Sequence, residues 1–142
     1  MTGTENYLPF VIDGGEYVDV RGRMRFCNDF DMRPVKRFYT IRNSEEHPKR
    51  GWIMHKKETK WMFPIAGETI VYCRTEGANE EHAYRLLANK PLVLRIPPLT
   101  WFLIEQDGRS EVLIFSDSGI GENESDDFRC PIDFEVGNMP CC

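Results

Sequence analysis

In the stretch RGWIMHKKE, residues 50 to 58, the side chain best suited to chemistry is His55. Imidazole changes charge near neutral pH, so His55 can take a proton or bind a metal; it can equally be a hydrogen-bonded structural residue. If the stretch is a β-strand, alternate side chains face opposite sides, which puts residues 51, 53, 55 and 57 on one face and 50, 52, 54 and 56 on the other. Ile53 and His55 are then neighbours. In VKRFYTI, residues 35 to 41, the same alternation puts Arg37, Tyr39 and Ile41 on one face, so a guanidinium and a phenol could reach one cavity together.

A metal centre would need more ligands than the sequence supplies. The histidines are His47, His55 and His82, and by strand parity His55 and Glu58 face opposite ways, so no metal and no cofactor is expected. Binding of an anion is better supported. Lys and Arg occupy positions 36, 37, 49, 50, 56 and 57 of a chain whose net charge is −5. That concentration suits a small anionic ligand, although solvated strand ends would look the same. The overall acidity gives no broad cationic face for nucleic acid.

The elements that must hold these residues are strands. Eight β-rich runs lie between residues 35 and 116: VKRFYTI, RGWIMHK, KWMFPIAG, ETIVYCR, HAYRLL, PLVLRIP, TWFLIEQ and EVLIFS. Their number and brevity predict an all-β fold, an antiparallel jelly-roll barrel, with Trp61, Phe63, Ile65 and the Val71–Cys73 side alternating between core and the opposite face. Gly67-Glu68 and Asp107-Gly108 read as hairpin turns, and Gly51 as a close backbone approach. GGEYVDVRGRMRF could add edge strands, and residues 117 to 142 read as an irregular tail on a single domain spanning 1 to 142. No stretch approaches the ~20 apolar residues of a membrane-spanning helix, so a cytoplasmic protein is expected. The five cysteines show no C-x-x-C spacing and read as reduced thiols.

In order and spacing, DVRG (19 to 22), VKRFYTI, RGWIMHKKE, Gly67, LRIPPLTW (94 to 101), VLIFSD (112 to 117) and DDFR followed by Phe134 resemble one family. It is the cupin family of WxcM-like sugar 3,4-ketoisomerases and, more distantly, dTDP-4-dehydrorhamnose 3,5-epimerases. The resemblance spans roughly residues 17 to 134. It implies a cupin-type jelly roll, usually dimeric, with a sugar nucleotide bound in its mouth. The family's RG-x-H-A-H-K carries two histidines; the first falls on Ile53 and the second on His55.

Family chemistry begins by removing a proton from the carbon beside a ketone, which isoleucine cannot do. The resemblance therefore leaves His55 and Tyr39 as catalytic candidates and Arg37, Arg50 and Trp101 as candidates for binding substrate. The alternative for Tyr39 and Trp101 is packing, since aromatic side chains more often fill barrel interiors than contact a ligand. Two functions follow as expectations. One is an isomerase or epimerase acting on a nucleotide-activated 4-keto-6-deoxy sugar, a dTDP-sugar. The other is a non-catalytic cupin that binds a sugar or sugar nucleotide, because Ile53 replaces the usual first histidine. A homodimer is expected, with residues 7 to 30 as candidate interface strands.

Overall fold

The structure, a computed structural model, describes residues 7–78, 80–122 and 126–133. Phe134 and two of the five cysteines, Cys141 and Cys142, lie outside that range. Twelve strands form in chain order. They are β1 (Phe10–Asp13), β2 (Gly15–Asp19), β3 (Gly22–Phe26), β4 (Arg37–Ile41), β5 (Lys49–Met54) and β6 (Lys60–Ala66), then β7 (Glu68–Thr75), β8 (His82–Leu87), β9 (Leu92–Ile96), β10 (Thr100–Gln106), β11 (Glu111–Ser116) and β12 (Phe128–Arg129). There is no helix among the described residues.

The strands make two five-stranded antiparallel sheets, ordered β1-β9-β6-β11-β4 and β12-β5-β10-β7-β8, and a separate β2-β3 hairpin. This is the expected jelly roll. Both predicted hairpin turns prove to be corners between sheets. At Gly67 the chain leaves β6 in one sheet for β7 in the other, and at Asp107-Gly108 it passes from β10 back to β11. Gly67 has φ 64°, and a Cβ there would lie 2.4 Å from Ser110 Oγ, so the corner needs glycine.

Between the sheets lies the main core, with Met62, Leu94, Ile96, Val112 and Ile114 from one side and Val71, Cys73, Phe102 and Ile104 from the other. Pleat alternation brings Val71 and Cys73 inward as expected. On β6 the inward core residue is Met62, whereas Trp61 points to the outer face and packs on Phe30, their ring centroids 5.6 Å apart. A second cluster covers the outside of the β5-β10 sheet: Trp52, Met54, Trp101 and Leu103 packed with Cys130. Trp52 and Cys130 exchange backbone hydrogen bonds, and Trp52 Nε1 donates to the Ile132 carbonyl at 3.1 Å. Part of the stretch read as an irregular tail is thus pinned to the sheet, with β12 paired to β5.

Cys27 and Cys73 are free thiols, but Cys130 is disulfide-bonded, so the all-reduced expectation does not hold. Within the segment YLPFVI, β1 pairs with β9 and forms an edge of its sheet.

Candidate active site

Strand parity delivers Arg37, Tyr39 and Ile41 from β4 to the wall of a cavity of about 240 Å³ between the sheets. Its apolar floor continues the main core through Ile53, Phe102, Ile104 and Ile114, and Arg50, His55, Lys60, Asp127 and Arg129 complete the lining. A second cavity of about 250 Å³, beside the loop from Ser118 to Glu122, shares Arg37, His55 and Asp127 with the first. The two are lobes around one group of side chains.

Simple alternation would put Arg50 and His55 on opposite faces of β5, yet both line the first lobe. The reason is an irregularity in the β5-β10 ladder, where Ile53 pairs with Phe102 but Gly51 already pairs with Leu103. The extra residue reverses the parity of everything before it. Gly51, at φ 139°, permits this: a Cβ would lie 2.7 Å from the Phe102 carbonyl oxygen and 2.8 Å from Leu103 Cα. The predicted close approach at Gly51 is what turns Arg50 inward. Arg50 is also steered by Asn43, whose Oδ1 accepts from Arg50 Nε at 3.2 Å.

β5 ends at Met54, so His55 is the first residue beyond the strand. The turn that follows is gripped by Asp126, whose carboxylate accepts backbone hydrogen bonds from Lys56 (2.7 Å), Lys57 (2.9 Å) and Glu58 (3.2 Å). This bend overturns the parity argument that separated His55 from Glu58, whose Oε1 comes within 3.9 Å of His55 Nδ1. The sequence reading missed Asp126, because nothing in DDFR shows which turn an acidic residue will hold.

His55 Nδ1 lies 2.9 Å from the Asp126 carbonyl oxygen. A carbonyl can only accept, so Nδ1 carries the hydrogen and Nε2 is left as the basic nitrogen. Burial lowers the imidazole pKa, the charge of Lys60 adds to this, and Glu58, the Asp126 carbonyl and Asp127 oppose it. The net depression keeps the ring neutral and able to accept a proton at neutral pH.

Below His55 lies an ion pair that sequence reasoning did not find. Lys60 and Glu58 are almost wholly buried, with Nζ 2.5 Å from Oε2. Ser116 Oγ donates to the same carboxylate oxygen at 2.8 Å, and Arg37 approaches it at 3.7 Å. Burial pushes the Glu58 carboxyl up, but the Lys60 hydrogen bond and charge, Ser116 and His55 together hold it below the usual range. Lys60 also donates to the Tyr39 hydroxyl at 2.7 Å. Lys60 shares the inward parity of Met62 on β6, a parity that only the structure reveals.

Of the residues expected to contact substrate, Arg37 and Arg50 reach the cavity and Trp101 does not. Trp101 is fully buried in the outer cluster, while its neighbour Phe102 faces the cavity, so alternation along β10 makes it a packing residue. Among the described residues no group of three or more His, Cys, Asp or Glu side chains is placed to hold a metal ion.

No family model and no curated protein sequence matches the chain. Solved structures do match, and they define the class of fold. A variant of the 3,4-ketoisomerase QdtA from Thermoanaerobacterium thermosaccharolyticum, in complex with TDP-4-keto-6-deoxyglucose, superposes with a TM-score of 0.71 at 22% identity, covering 87% of this chain and 88% of that one. The 3'-monoepimerase ChmJ from Streptomyces bikiniensis, in complex with dTDP-quinovose, gives 0.73 at 10% identity, covering 87% and 70%. The rmlC epimerase of Mycobacterium tuberculosis gives 0.69 at 12%, covering 85% and 68%. The chain therefore has the jelly-roll fold of these sugar-nucleotide ketoisomerases and epimerases, which is the fold that the motif resemblance implied.

Proposed function

We propose that the chain is an isomerase or epimerase of a nucleotide-activated 4-keto-6-deoxy sugar, a dTDP-sugar, working by proton transfer beside the ketone. The observation that carries this reading is His55: a partly buried, neutral imidazole whose Nδ1–H is committed to the Asp126 carbonyl and whose Nε2 is left to accept, in a cavity that also holds the Tyr39 phenol. The neighbouring folds bound to TDP-sugars support the substrate class.

In this reading Nε2 takes the proton from the carbon beside the ketone. The C–H electron pair becomes a C=C bond, and the carbonyl oxygen becomes an enolate oxygen that accepts a hydrogen bond from Tyr39. Protonation of the same carbon from the opposite face, by a donor other than His55, gives an epimer and leaves the abstracted proton on Nε2 to pass to solvent. If instead the neighbouring hydroxyl passes its proton to the enolate oxygen, which becomes a hydroxyl, and Nε2 returns its proton to the former carbonyl carbon, the product is the isomeric ketone. Arg37 and Arg50, with Arg129 at the same mouth, supply guanidinium groups suited to a diphosphate.

A second reading, a non-catalytic sugar-nucleotide binder, is favoured by one observation: Ile53 lines the cavity next to His55 where a second imidazole would otherwise stand. Incubation with a panel of dTDP-4-keto-6-deoxy sugars in deuterium oxide separates the two. Deuterium beside the ketone, with a new sugar product by NMR, supports the enzyme; saturable binding without exchange supports the binder.

The proposal extends to a cytoplasmic homodimer. Tyr17, Val18, Val20 and Met24 of the β2-β3 hairpin region are exposed, and an isolated two-stranded ribbon is marginal in water, so a second copy is expected to cover it. Light scattering that gives the monomer mass at micromolar concentration would remove this part.

A further inference from the structure

The buried Glu58–Lys60 pair is not used by the proton transfer just described, and burying two charges is costly unless both are well satisfied. Its geometry constrains Tyr39. An ammonium group has three hydrogens and no lone pair, so in the 2.7 Å contact between Lys60 Nζ and the Tyr39 hydroxyl the phenol oxygen must accept. Lys60 Nζ also lies 5.2 Å from the centroid of the Tyr39 ring, and the Arg37 guanidinium lies 5.0 Å from it, so the ring is held by cations in place as well as in polarity. The phenol's own hydrogen is thereby turned away from Lys60, and among the described residues it meets no acceptor. Tyr39 lines the cavity, where the acceptor it lacks would be supplied by a bound ligand.

We infer that Lys60, anchored by Glu58, is a positioning residue that fixes the Tyr39 hydroxyl as a hydrogen-bond donor toward the ketone oxygen of the bound sugar. The inference rests on the proposed function and adds a direction to it. If Lys60 were neutral and able to accept, the Tyr39 hydrogen could turn to it and leave the enolate oxygen without its donor. Glu58 keeps the ammonium where it is: one carboxylate oxygen takes Lys60 and Ser116, while the other lies near His55 Nδ1. One buried acid thereby ties the group that removes the proton to the group that meets the oxygen.

A double-mutant cycle on deuterium exchange tests this. Lys60→Met is expected to lower the exchange turnover under saturating ligand by about 10- to 100-fold, the scale of a misplaced catalytic group. Lys60 also lowers the His55 pKa, so the cycle is read on the pH plateau where the imidazole is neutral in every variant. There, in a Tyr39→Phe background, the same substitution should cost little further, because its remaining effect runs through the hydroxyl. Circular dichroism checks that each variant folds. Should Lys60→Met not fold, the cycle is run with Lys60→Gln, whose amide can donate or accept and so no longer fixes the direction; the loss should again vanish without the Tyr39 hydroxyl. Losses that multiply across the cycle in a wild type that does exchange overturn this inference alone. A wild type that exchanges no deuterium overturns the proposed function, and this inference with it.

Discussion

His55 donates from Nδ1 to the backbone carbonyl of Asp126, while the carboxylate of that same residue holds the turn that follows the histidine. One acidic residue thus fixes both the position of the imidazole and its tautomer. The fold reaches this by bringing the segment before β12 alongside the end of β5, residues 71 positions apart in the chain.

The first consequence concerns pH. The folded pKa of His55 lies below the ordinary imidazole value of 6.5, with burial of the ring as the main cause. The unfolded chain therefore binds the proton more readily, so stability from this group is present above pH 6.5 and is lost as pH falls through the folded pKa. The base form survives over the same range. The acid limb of the rate profile for exchange is expected below pH 6.5, and a limb at or above that value would contradict the partly desolvated, neutral ring.

Asp126 should matter to stability as much as to chemistry. Asp126→Ala strands the backbone N–H groups of Lys56, Lys57 and Glu58. A loss of about 2–4 kcal/mol is expected in denaturant unfolding, since hydrogen bonds to a charged acceptor are the strong ones. Asp126→Asn keeps an acceptor and should recover part of that. Equal stability for wild type and Asp126→Ala would show that the turn is held by something else.

Gly51 makes a backbone prediction. Gly51→Ala places a methyl group against the Phe102 carbonyl and Leu103 at a φ of 139°. The expected cost is about 2–4 kcal/mol, from strain together with overpacking. Arg50 should lose its inward position, so affinity for dTDP should fall even in the folded fraction, as calorimetry would read it.

How far the sequence reveals this molecule depends on locality. Runs such as TWFLIEQ and EVLIFS carry their strand identity in adjacent residues, and they form β10 and β11 over the same residues. Parity within one strand was equally legible for Arg37 and Tyr39. The reading faltered where a local rule is broken by a distant partner. Parity across RGWIMHKKE ignored the irregularity opposite Phe102 and Leu103, so it misplaced Arg50. The same reasoning separated His55 from Glu58 because the grip on the turn comes from Asp126, far along the chain. Trp101 was ambiguous from its motif alone; only the outer cluster with Trp52 and Cys130 shows which face of β10 it occupies. Lys60 could not be placed in the cavity from sequence because a lysine at a strand start reads as solvated until its buried partner is known.

Ile53 offers a gain-of-function test. It lines the cavity on the same side as His55, two residues away. Ile53→His places a second titratable base against the same space, and exchange on a dTDP-4-keto-6-deoxy sugar is expected to rise. A folded variant that binds dTDP normally and exchanges no faster than wild type would show that the apolar wall is not a missing base.

His55 is the proposed base. Its most direct test is the rate of deuterium incorporation beside the ketone of a bound dTDP-4-keto-6-deoxy sugar, measured by NMR for wild type and for His55→Asn under saturating ligand. Measurable exchange by the wild type and a fall of about 100-fold or more in the variant are expected, with the fold retained. Exchange that continues unchanged in His55→Asn would contradict that role.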